Sequence, residues 1–109
     1  MAEARKPEIL HLTLKKEWFA MIISGEKKEE YRELKDYWKK RFWLEGTTKC
    51  RSYDIVRFKN GYAKDAPEFD IVCKKITVSL SKAKWSTQKP AKCFVIELGE
   101  ILSKKNIKR

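Results

Sequence analysis

Lys27, Glu30 and Arg32 place a cation, an anion and a second cation in one short stretch directly after Gly25. A lysine works as a base near neutral pH only where burial or neighbouring cations lower its pKa, and an adjacent carboxylate opposes that. If Lys27 touches Glu30, the pair therefore suits phosphate or carbonyl binding better than proton abstraction. Arg32 offers a planar fork to a phosphate or a base edge, with Glu30 as its nearest competing partner. Two readings stay open: an ion-pair network fixing one helix to the fold, or the floor of a ligand site with Lys27 as its candidate catalytic group.

A second group of residues points to nucleic acid. The chain carries a net charge of +11, and residues 74–92 contribute six lysines and no acid. Lys82 and Lys84 flank Trp85 there, while Tyr62 follows the turn dipeptide Asn60-Gly61. Exposed aromatics among cations stack on unpaired bases while lysines hold the backbone. Lys15, at the start of a helical pattern, joins the candidate set, with a solvated helix end as its alternative. The ligand-binding set expected from sequence is thus Lys15, Lys27, Glu30, Arg32, Asn60, Tyr62, Lys82, Lys84 and Trp85. RNA, a nucleotide or a modified nucleoside is the expected partner. The sequence sets no oligomeric state.

Other chemistries lack their residues. His11 is the one histidine, and Cys50, Cys73 and Cys93 form no CxxC pair, so neither a metal site nor a disulfide framework is expected. A reducing cytoplasm fits this cysteine usage. No P-loop or Gly-rich dinucleotide loop occurs, so no cofactor is expected. No apolar run of membrane-spanning length is present, and a membrane partner is not expected.

These residues need elements to hold them. Leu10, Leu12 and Leu14 alternate with His11 and Thr13, as in a half-buried strand, with His11 facing solvent. The period then changes: Leu14, Trp18 and Ile22, with Phe19 and Ile23 beside them, predict a helix over residues 15–24 ended by Gly25. Residues 28–34 read as a strand with Glu30 and Arg32 on one face. Strict alternation puts Lys27 on the other face unless the turn after Gly25 redirects it. A second helix is expected over 37–44, capped by Asp36, with Trp38 and Phe42 in the core and the Lys39-Lys40-Arg41 run solvated.

Strands are expected over 53–59, from Phe69 to Leu80 and over 93–98. The alternation of Phe69, Ile71 and Cys73 slips by one at Lys74-Lys75 and resumes at Ile76, which predicts a β-bulge and a bending sheet. Five strands and two short helices predict a small α+β protein with a twisted or partly closed barrel.

The stretch Gly25-x-Lys27-x-x-Glu30-x-Arg32, between a short helix and a strand, resembles the motif of the activating-signal-cointegrator homology (ASCH) domain. Val56 to Tyr62 and the strand ending Leu98-Gly99 are similar to small stand-alone members of bacterial or phage type. The resemblance spans residues 9–102, with residues 1–8 as a lead-in and 103–109 as a basic tail. It implies a PUA-like β-barrel and RNA or modified-base binding. It also implies two enzymatic alternatives, an amidohydrolase acting on an acylated cytidine nucleoside and a ribonuclease. The amidohydrolase subgroup uses a lysine and a threonine three residues later; Lys27 matches the lysine, but Glu30 stands at the threonine position. A protein-interaction module is the remaining alternative.

Overall fold

The computed structural model describes residues 6–85 and 90–107. Residues 1–5 of the expected lead-in, Lys89 of the basic loop and residues 108–109 of the expected tail lie outside them. The elements in chain order are β1 (Ile9–Thr13), α1 (Lys16–Ile23), β2 (Glu29–Arg32), α2 (Asp36–Phe42), β3 (Ile55–Lys59), β4 (Glu68–Leu80), a 3-10 turn (Ala83–Trp85) and β5 (Lys92–Lys105).

The five strands form one mixed sheet in the order β1-β3-β4-β5-β2, with β1 and β3 parallel and the other pairs antiparallel. The sheet curls into a half-barrel around Leu10, Leu12, Val56, Phe58, Phe69, Ile71, Ile76, Phe94 and Ile96. Phe19 and Ile22 of α1 and Phe42 of α2 complete this core. Burial of such side chains stabilises the fold by roughly 1.5–3 kcal/mol each before the entropy of ordering is counted.

The curl has the origin that the alternation suggested. Between β4 and β5 the register shifts three times, from Asp70 to Lys75. Cys73 faces Leu98 while Lys75 faces Glu97, so Lys74 is the extra residue on β4. Gly99 lies on the opposing strand, and a Cβ there would stand 3.0 Å from the Val72 Cβ, so that Val72 would have to give way. Bulges on both strands bend the long hairpin over the core.

Three local expectations change. Asp36 does not cap α2; it lies within the first turn, and Lys35 is the N-cap with no side-chain hydrogen bond. A carboxylate in that turn still favours the helix through the dipole. Gly61 takes φ +110°, but Asn60-Gly61 begins an eight-residue connection closed by the Asn60 amide on the Pro67 carbonyl at 2.9 Å. Finally, β5 runs on to Lys105, so residues 103–105 pair with β4. Among the described residues, no helix is long and apolar enough to cross a membrane.

Candidate functional site

The helix α1 ends where Gly25 takes φ +87°, a conformation that L side chains disfavour. The Gly25 amide donates to the Ile22 carbonyl at 3.0 Å, and the Lys27 amide reaches back to Met21 at 2.9 Å. This turn precedes β2, so strand alternation does not govern Lys27. The side chain folds inward onto the Glu30 face, which is the redirection that a shared site requires.

Glu30 is the centre of the resulting group. Its Oε1 accepts from the Lys27 Nζ at 2.9 Å, and its Oε2 accepts from Arg32 Nη1. Lys27 is 2% exposed and Glu30 3%. The Lys27 ammonium also rests 4.0 Å from the Trp18 ring centre, a cation on an aromatic face. Two cations thus share one carboxylate, leaving one positive charge uncompensated inside the fold.

Arg32 does more than pair. Its Nη2 donates to the Thr13 carbonyl at 3.1 Å and its Nη1 to the Tyr31 carbonyl at 3.1 Å. Arg41 of α2 makes a parallel contact, donating from Nη2 to the His11 carbonyl at 3.4 Å and from Nη1 to the Tyr37 hydroxyl at 3.2 Å. Both guanidinium groups lie against Trp38, at 5.2 Å and 5.7 Å from its ring centre. Arg32 Nε and Arg41 Nε are buried without a hydrogen-bond partner among the described residues.

A cavity of about 450 Å³ opens here between the β1 edge and α2. Arg32, Arg41, Tyr37 and Trp38 line it with residues 11–13, and Tyr62 stands at its rim, 90% exposed. No carboxylate is among the lining residues. A second cavity, of about 430 Å³, takes in Lys27, Lys28, Lys74 and Glu100 beside the end of α1. The two expected cations therefore belong to different cavities: Arg32 lines the first and Lys27 the second.

The other expected residues divide. Asn60 donates to the Leu14 carbonyl at 3.0 Å and anchors the connection that carries Tyr62. Lys15 is the exposed N-cap of α1 and bonds to none of this group among the described residues. The expectation that Trp85 is an exposed stacking platform is corrected: the ring is 6% exposed. The reason lies on the outer face of the sheet. The Lys82 amide donates to the Tyr31 hydroxyl at 3.1 Å, and Lys82 Nζ lies 3.5 Å from Glu29, holding the segment against β2. Cys93 and Val95 are buried there too, apart from the main core. Lys82 and Lys84 cover the Trp85 ring at 4.9 and 4.6 Å from its centre.

Tyr31 donates its hydroxyl proton to Glu29 Oε1 at 2.7 Å. Burial chiefly pushes this phenol far above its ordinary pKa; the Glu29 carboxylate adds to the shift, and the Lys82 amide opposes it. Burial likewise raises all three thiols, Cys73 to about 11, with Asp54 adding to that shift. None of the thiols is poised as a nucleophile. Among the described residues no cluster of His, Cys, Asp or Glu could hold a metal ion.

Sequence reasoning missed Trp38 and Arg41 as site residues. Trp38 read as core through its spacing to Phe42, and the two rings do stack, at 5.4 Å between centres. Only the approach of α2 to the β1 edge shows that the partly buried Trp38 lies beside two arginines. The cation run ending in Arg41 was the available signal. Compared with protein-family models, with curated proteins and with solved structures, the chain matches none.

Proposed function

We propose that this chain binds a nucleotide or single-stranded RNA in the cavity between β1 and α2, as an ASCH-type domain would. The observation that carries the reading is the pairing of Arg32 and Arg41 around Trp38, in a cavity with no lining acid and an exposed Tyr62 at its rim. Guanidinium groups recognise phosphate with directed hydrogen bonds, and a rim tyrosine supplies a stacking surface for a base. The net charge of +11 draws polyanions toward the site. Lys82 and Lys84 add positive charge on the outer face of the sheet, beside β2.

Hydrolysis of an acylated nucleoside or of RNA through Lys27 gains no comparable support. Lys27 is buried, bonded to Glu30 and outside the arginine cavity.

The reading is tested with a single-stranded oligoribonucleotide titrated into the protein at rising salt. Affinity is expected to fall steeply with salt, and Arg41→Ala to weaken binding about tenfold, within the range of a charge-assisted hydrogen bond. Binding indifferent to salt, or no binding to RNA or nucleotide, would overturn it.

A further inference from the structure

We infer that the arginine cavity takes a terminal phosphomonoester, the phosphorylated end of an RNA strand or of a nucleotide, in preference to an internal phosphodiester. This rests on the reading above and narrows its ligand.

Charge is the first reason. Lys27 and Arg32 share Glu30, leaving one cation uncompensated, and Arg41 contacts no carboxylate among the described residues. The cluster of Lys27, Glu30, Arg32 and Arg41 therefore carries a net charge of about +2, and its two arginines are the members that line the cavity. A phosphomonoester carries roughly −1.5 to −2 near neutral pH and three acceptor oxygens, whereas a diester carries a single charge and two free oxygens.

Donor geometry is the second reason. Among the described residues Arg41 is held by neutral acceptors, the His11 carbonyl at 3.4 Å and the Tyr37 hydroxyl at 3.2 Å. Both are long contacts that an anionic oxygen outcompetes, because charge-assisted hydrogen bonds are shorter and stronger. Arg32 is tied to Glu30 and Thr13 and stays in place as the fixed member of the pair. Shape is the third. One wall is the β1 edge, whose His11 and Thr13 carbonyls are occupied by the two arginines, and both guanidinium groups lie near the Trp38 ring centre, at 5.2 and 5.7 Å. At about 450 Å³ the space is of the size that takes a small ligand. Tyr62 at the rim is placed for the first base behind the phosphate.

The test compares oligoribonucleotides of one sequence bearing a 5′-phosphate, a 3′-phosphate or hydroxyls at both ends, together with a nucleoside monophosphate, by calorimetry on the unaltered protein. One phosphorylated end is expected to bind at least tenfold tighter than the hydroxyl form, and the monophosphate to compete with it. In Arg41→Met that advantage is expected to vanish while the residual affinity matches the hydroxyl oligonucleotide. Arg41→Lys, which keeps the charge, is expected to retain part of it. Equal binding of phosphorylated and hydroxyl strands would overturn the inference and leave RNA binding standing. Loss of binding to all four would overturn both. If Arg41→Met fails to fold, the comparison on the unaltered chain decides alone.

Discussion

Arg32 donates from Nη2 to the Thr13 carbonyl at 3.1 Å, and this contact ties β2 to β1, the two outermost strands of the sheet. No backbone ladder joins these strands, so a side chain supplies what a closed barrel would obtain from paired main chains. The same guanidinium holds Glu30. Arg32→Lys keeps the charge but has one compact head in place of a fork. It is expected to satisfy Glu30 or Thr13 but not both, lowering stability by about 1–3 kcal/mol. A urea denaturation midpoint equal to that of the unaltered protein would refute this.

Glu30 and Lys27 should differ in cost although they form one bond. Glu30→Ala strands the buried Lys27 and the part-buried Arg32 at once, whereas Lys27→Met leaves Glu30 paired with Arg32. Breaking a buried pair so that a charge is left unpartnered costs about 3–5 kcal/mol, while an apolar replacement of similar volume is often tolerated. Thermal unfolding should therefore rank Glu30→Ala far below Lys27→Met. The reverse order would mean that Lys27, not Glu30, is the centre of the network.

Stability should decline at alkaline pH through the thiols. Burial raises Cys50, Cys73 and Cys93 above their ordinary value of 9.0, Cys73 to about 11. Above pH 9 an unfolded chain releases these protons while the folded chain keeps them. The unfolded state then binds fewer protons, and the stability falls as pH rises. Below pH 9 the thiols contribute no slope. For Cys73 alone the loss approaches about 1.4 kcal/mol per pH unit between 9 and 11. Urea midpoints at pH 8, 9 and 10 measure it, and Cys73→Ala should flatten the decline.

Tyr31→Phe removes the hydroxyl that accepts from the Lys82 amide and donates to Glu29. The segment bearing Lys82 and Lys84 should loosen from β2, and trypsin should cut after these lysines several times faster under native conditions. Unchanged cleavage would show that Trp85 burial alone holds the segment.

Much of this fold can be read locally. The change of period at Leu14, the stop at Gly25 and the phase slip at Lys74 each mark a real boundary or bulge, because each depends on neighbours in sequence. What fails to show depends on distant partners. Trp85 sits among lysines in a polar stretch, and Glu29 and Tyr31, far earlier in the chain, help to give that stretch a surface to lie on. β5 continues past Leu98 with mostly exposed residues, so its last turn of pairing leaves no apolar pattern. The Arg41 site depends on α2 meeting an edge strand about thirty residues earlier, which no periodicity records.

The strand order has a consequence for synthesis. β1 and β2 emerge first, yet they occupy opposite edges and do not pair with one another. β2 finds its ladder only in Phe94 to Glu97, near the end of the chain. A nascent chain leaving the ribosome must therefore carry Glu30 and its two cations without their strand partner until Phe94 to Glu97 have been made. At roughly 5–20 residues per second, that is a wait of several seconds. Through that interval the motif is a cluster of solvated charges, and the site comes into being only when the last strand closes over it.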